Sequence, residues 1–139
     1  MDAIAISRTG LDVEWRRMEI IALNLANMNS GPAADGTSFQ PLTLLSGPAG
    51  SFGAVLDGQQ PPAGVRAYGV QPSGAGMRRV YEPGHPQADA NGYVSYPNVS
   101  HASEMALMVK TARAYEANLV ALAAAQQIYS SALQIGKQA

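Results

Sequence analysis

The chain has 139 residues, a formal net charge of −1, only 14% charged residues and no cysteine. That length suits one ordinary domain; the missing basic excess argues against general nucleic-acid binding, and the missing cysteine excludes disulfides, thiol catalysis and cysteine-ligated zinc. All nine prolines and 12 of the 14 glycines fall between residues 31 and 97, so the chain divides into an N-terminal helical part (1–30), a Gly/Pro-rich middle (31–97) and a C-terminal helical part (98–139).

Residues 3–27 read as the first helix. Ile4, Leu11, Met18 and Leu25 recur every seven residues, and Ile21 and Met28 add a second line. Gly10 costs such a helix about 1 kcal/mol relative to alanine, so the helix depends on packing. Asn27, Gly31 and Pro32 end it: Asn and Gly tolerate the left-handed C-cap conformation, and proline cannot continue a helix. Charged residues from Asp2 to Glu14 interrupt any secretory leader, so export through a cleaved signal is not expected.

The middle is punctuated by turn formers. Gln40–Leu45, Ala54–Leu56, Val65–Val70 and Met77–Tyr81 are candidate strands, with Gln71 to Gly76 as a hairpin loop between the last two. Residues 46–64 carry Gly, Pro, Ser and Gln with few large apolar groups and are expected to be mobile. Pro83-Gly84 and Asn91-Gly92 are turn dipeptides, Tyr93–Tyr96 is a short extended run, and Pro97 keeps Tyr96 out of the helical region.

From Asn98 to about Gly136 the composition is that of a long helix: no proline, and alanine and straight-chain residues throughout. Ser100 can cap it and Glu104 suits its first turn. Met105, Met108, Ala112, Tyr115, Leu119, Leu122, Tyr129 and Leu133 keep a heptad stripe broken only by Gln126, a candidate register-setting polar position. At about 1.5 Å per residue the helix is roughly 50 Å long and needs a partner. Residues 117–136 carry no charge, but Asn118, Gln126, Gln127, Ser130, Ser131 and Gln134 interrupt them, which argues against a membrane span. The fold expected is mainly α with a small β-rich insertion, the two terminal helices pairing as an antiparallel coiled coil.

The sequence offers little chemistry. Glu82, His85 and Asp89 lie close together but lack regular metal-ligand spacing. Asp35, Asp57, Glu82 and Asp89 could supply a carboxylate pair for glycoside cleavage, yet all sit in glycine-rich sequence rather than on a rigid scaffold. No phosphate-binding glycine loop occurs. Arg78-Arg79 reads as a solvated strand end. No enzyme activity, cofactor, metal or small-molecule substrate is expected.

Two stretches resemble a known group. Gly10-Leu11, Arg17-Met18 and Ile21 through Asn27, with Asn24 and Asn27 closing an Asn-Leu-Ala-Asn run, are similar to the N-terminal signature of flagellar axial proteins of the rod and hook. More specific is the run through Pro83, Gly84, His85 and Pro86 to Asn91, Gly92, Tyr93, Pro97 and Asn98, followed by Tyr115 and Asn118. It resembles the proximal-rod branch. The resemblance covers residues 1–30 and 80–139 and is weak across 31–79. It implies a structural subunit of the basal-body rod, located in the rod across the periplasm and exported by the flagellar type III apparatus without a cleaved signal. Such a subunit polymerises with copies of itself and other rod proteins into a helical shaft that transmits torque. A peptidoglycan-acting hydrolase and an unrelated coiled-coil adaptor are the competing readings.

Overall fold

A computed structural model describes residues 3–58 and 64–138, apart from the side chains of Phe52, Val55 and Gln138. Helix α1 (Ala3–Asn27) and helix α3 (His101–Gln138) enclose strand β1 (Leu42–Pro48), a short helix α2 (Phe52–Leu56), and strands β2 (Val65–Pro72), β3 (Met77–Tyr81) and β4 (Tyr93–Pro97). The chain is thus mainly α with a small β region, as expected. Among the described residues no helix is long and apolar enough to cross a membrane.

Local chemistry sets the helix ends. At the start of α3, the Ser100 hydroxyl accepts from the Ser103 N–H at 3.3 Å and the Ser100 carbonyl from the Glu104 N–H at 2.9 Å, the capping role expected of serine. Past the end of α1, the Asn27 carbonyl accepts both the N–H and the hydroxyl of Ser30.

The β region departs from the expected hairpin. β1 pairs antiparallel with β2, and β3 antiparallel with β4, as two separate two-stranded sheets. Gln71 to Gly76 therefore do not turn between paired neighbours; Gln71 and Pro72 belong to β2, and the chain then crosses from one sheet to the other. The physical reason is length: β2 runs on to Pro72, opposite Leu42, and the Ser73 N–H still donates to the Pro41 carbonyl at 2.7 Å. Ala54 to Leu56, expected as a strand, are helical in α2, which begins where the Ser51 hydroxyl accepts from the Ala54 N–H at 3.2 Å. Within 46–64, residues 46–48 are strand and 52–56 helix; the part of that stretch from 59 to 63 lies outside the described residues.

The apolar core is small. Val13 and Ile21 on α1, Leu44 on β1 and Val94 on β4 are its fully buried hydrophobic members. A two-stranded sheet is marginal alone, and the β1–β2 sheet gains its support by lying against α1.

Candidate assembly interface

Helices α1 and α3 run antiparallel along one another. Asn24 donates to the Glu104 carboxylate at 3.3 Å. Fourteen residues earlier on α1, a Cβ at Gly10 would fall 2.7 Å from the Asn118 Oδ1. Midway, Arg17 and Thr111 line one cleft between the helices. Gly10, Arg17 and Asn24 are spaced by seven, as are Glu104, Thr111 and Asn118, so small or polar residues meet at every heptad step.

These lines sit one residue before the apolar ones. On α1 the line Leu11, Met18, Leu25 is only half-buried, as is Ile4, while Ile21 is fully buried. On α3, Met108, Ala112, Tyr115 and Leu122 are half-buried, whereas Met105, Leu119, Tyr129, Leu133 and Gln126 are exposed. Only half of the α3 stripe therefore turns toward α1. The rotation has a steric cause: Gly10 lets the backbones approach, and Asn24 finds hydrogen-bond partners at the seam, although the buried Thr111 hydroxyl has none. The residues that make the seam and that heptad counting of apolar positions misses are Gly10, Asn24, Thr111 and Asn118. A polar line at the same seven-residue spacing was the available signal. Gln126 lies past this seam, and within one chain the register is carried by the polar pairs.

Asn24 is the junction of the fold. Only 2% of it is exposed. Its Oδ1 accepts from the Leu42 N–H at 2.8 Å and its Nδ2 donates to the Leu42 carbonyl at 2.9 Å. The side-chain amide thereby copies a strand partner for the first residue of β1, while the bond to Glu104 ties the same group to α3. One residue couples α1, α3 and the β1–β2 sheet. Asn27 donates to the Leu23 carbonyl one turn back, and Asn118 to the Ala114 carbonyl.

The remaining motif residues build the β3–β4 loop. Pro83 and Gly84 sit in a turn closed by the His85 N–H on the Glu82 carbonyl at 3.0 Å, and the half-buried His85 ring accepts from the Gln87 N–H at 3.1 Å ahead of exposed Pro86. The Asp89 carboxylate accepts the N–H groups of Asn91 and Tyr93 at 2.9 Å each and pairs with Arg79. Its pKa lies below the usual carboxylate range, first through the Tyr93 N–H and then through the Asn91 N–H and Arg79. Gly92 adopts φ +82°, and a Cβ there would meet the Tyr81 ring at 2.8 Å, so the turn requires glycine. Tyr93 packs edge-on to Tyr81 with centroids 5.3 Å apart. Pro97 is buried, and Asn98 reaches back to the carbonyls of Ala75 and Gly76.

Of the four carboxylates considered for catalysis, Asp89, Asp35 and Glu82 are engaged in local hydrogen bonds, and Asp57 is exposed at the end of α2. Asp35 accepts from the Thr37 hydroxyl at 2.6 Å and its N–H at 2.9 Å, which lowers its pKa. Glu82 accepts from the Tyr96 hydroxyl at 2.8 Å, which raises the pKa of that phenol. Among the described residues no group of three His, Asp or Glu side chains is placed to hold a metal ion. The basic pair is only partly a solvated strand end: Arg79 is exposed, lying over Tyr93 beside Asp89, whereas Arg78 is half-buried, donates to Asn29 at 2.9 Å and lies over the Tyr96 ring.

Comparison with known proteins gives this architecture its family. Residues 90–135, covering β4 and most of α3, match the family described as the flagellar basal body rod FlgEFG protein C-terminal region. The flagellar basal-body rod protein FlgC of Bacillus subtilis (strain 168) is 32% identical over 145 residues, covering 97% of each chain. FlgC of Salmonella typhimurium is 33% identical, covering 95% of this chain and 94% of the relative. FlgC of Aquifex aeolicus is 34% identical, covering 98% and 96%. Likeness over nearly the whole length of each relative supports neither a rod-associated hydrolase nor an unrelated adaptor. The chain belongs to the FlgC family of flagellar basal-body rod proteins.

Proposed function

We propose that this structural rod subunit forms part of the proximal rod, polymerising with copies of itself and with other rod proteins into the helical shaft that carries torque across the periplasm. Passage through the flagellar type III export apparatus without a cleaved signal belongs to the same reading. The helical parts 1–30 and 98–139 act as the axial unit, an antiparallel coiled coil, and 31–97 as its outer insertion. The antiparallel run of α1 along α3, with cross-helix neighbours at heptad intervals, supports this coiled-coil reading.

One observation carries the polymer reading most directly. α3 turns Met108, Tyr115 and Leu122 toward α1 and leaves Met105, Leu119, Tyr129 and Leu133 exposed. A single helix thus carries apolar positions covered by its own chain and others left open for neighbours: Met105, Leu119 and Leu133 on the adjacent heptad line, and Tyr129 on the α1-facing line beyond the end of α1. Met105, Leu119, Tyr129 and Leu133, with Gln126 among them, are proposed as subunit-contact positions. Heterologous contacts of this kind need not close into a dimer and can propagate along a helix of subunits.

Purified basal bodies test the reading. Replacing the native chain by a tagged copy should place the tag in the rod, and deleting the chain should leave cells non-motile with no completed rod. Normal motility after deletion would refute it.

A further inference from the structure

The last turns of α3 run on past the seam. Residues 126–137 are all exposed, an overhang of roughly 18 Å at 1.5 Å per residue. Stepping one further heptad from the Gly10–Asn118 pair sets Ala3 opposite Ala125, so the described part of α1 ends where the overhang begins. Ile128 and Ile135 are 71% and 70% exposed, and Tyr129 and Leu133 more than half exposed. Tyr129 continues the heptad line of Met108, Tyr115 and Leu122, which α1 covers. The overhang is an extension of an interface already made.

The same molecule has an open cleft of about 710 Å³ between α1 and β2. Its aromatic wall is Trp15, 55% exposed, beside Tyr115 with centroids 6.3 Å apart. Val65 adds exposed apolar surface from β2, while Arg8 and Arg66 stand at its edge with no carboxylate paired to them among the described residues. A helix seated there would have to be apolar on one side and offer hydrogen-bond acceptors to the arginines, a role that carboxylate or amide oxygens can fill. Residues 117–136 carry no charge, and Gln126, Gln127 and Gln134 supply amide oxygens.

We infer that the α3 overhang of one copy seats in the α1–β2 cleft of a second copy, head to tail. The inference rests on the rod-subunit reading and names the two faces that meet. Because overhang and cleft are different surfaces, each copy both offers a helix and receives one, which yields an open array.

The absence of native cysteine makes this testable in assembled rods. In a chain carrying Asp12→Cys and Ile128→Cys, the two sites cannot bridge within one molecule. Residue 12 lies opposite about residue 116, so Ile128 is roughly 18 Å farther along the helix, and a disulfide needs Cα atoms within about 7 Å. Mild oxidation of isolated basal bodies should give a ladder of dimers, trimers and longer species from the double variant and only monomers from either single variant. Adding Trp15→Ala should reduce the ladder several-fold. The pair Arg16→Cys and Gln127→Cys should give a ladder as well, guarding against misfolding of the first pair. Dimers from Ile128→Cys alone would mean that overhangs pair with each other and would overturn the inference. No ladder from either pair, with the variants present in the rod, would overturn it while leaving the rod reading standing. Absence of the unsubstituted chain from basal bodies would overturn both.

Discussion

Gly10 and Asn118 meet so closely across the α1–α3 seam that a single methyl group on residue 10 would lie 2.7 Å from the Asn118 side-chain oxygen and 2.9 Å from its amide nitrogen. A glycine that weakens an isolated helix is what allows these two helices to touch. Gly10→Ala is therefore expected to destabilise the chain by about 1–3 kcal/mol through overpacking, despite the better helix propensity of alanine. Asn118→Ala combined with Gly10→Ala should recover most of the loss, because the clash disappears. Chemical denaturation of the two single variants and the double variant gives the coupling directly; additive losses would show that the pair does not set the helix separation.

Asn24 joins three elements through one amide. Asn24→Ala leaves the N–H and carbonyl of Leu42 and the Glu104 carboxylate without this partner. The expected loss is about 2–3 kcal/mol, typical of unsatisfied buried polar groups. Amide hydrogen exchange should accelerate at Leu42 and along β1 more than in the middle of α1. Uniform acceleration would deny Asn24 its coupling role.

Leu119 and Leu122 are one turn apart on adjacent lines of α3 and differ in burial. Leu122 is half-buried toward α1, while Leu119 is 42% exposed. Leu122→Asp should lower thermal stability of the purified chain, because it places a charge at an apolar contact. Leu119→Asp should leave stability within about 0.5 kcal/mol, as surface substitutions usually do, yet block incorporation into the rod and abolish motility. Motile cells carrying Leu119→Asp would remove this face from the assembly.

Asp89 gives the β3–β4 loop a pH dependence. Its folded pKa is depressed by the Tyr93 N–H, the Asn91 N–H and Arg79. A carboxylate of this kind stabilises the fold fully above the ordinary carboxylate range, and the contribution is lost as pH falls through the lower folded value. Asp89→Asn should therefore melt earlier than the parent chain near neutral pH, and the gap should close in acid. A gap unchanged across that range would mean that the carboxylate charge contributes nothing.

Much of this architecture can be read from residue order. The dense prolines and glycines of 31–97 separate two proline-free helices, and the β-branched and aromatic pair Val80 and Tyr81 marks the strand that begins at Met77. Strand pairing is not legible in the same way: whether β2 turns onto β3 or back onto β1 depends on long-range contacts with α1, which no local turn signal encodes. The seam is misread for a different reason. Counting apolar residues selects Leu11, Met18, Leu25 and Met105, Ala112, Leu119, whereas the closest approach uses the polar lines one residue earlier. The missing side chain of Gly10 and the hydrogen-bonded amide of Asn24 allow close packing that hydrophobicity does not register. The Asn24 and Asn118 of the family motif acquire their physical meaning only when the opposite helix is in place.

Density of the assembled rod at side-chain resolution tests the central claim most directly. The expected result is α1 and α3 of each subunit running antiparallel, with Asn118 against Gly10 and Asn24 joined to Leu42 and Glu104, and with Leu119 facing a neighbouring subunit. Density in which α1 and α3 of one chain are separated, or paired in another register, would contradict it.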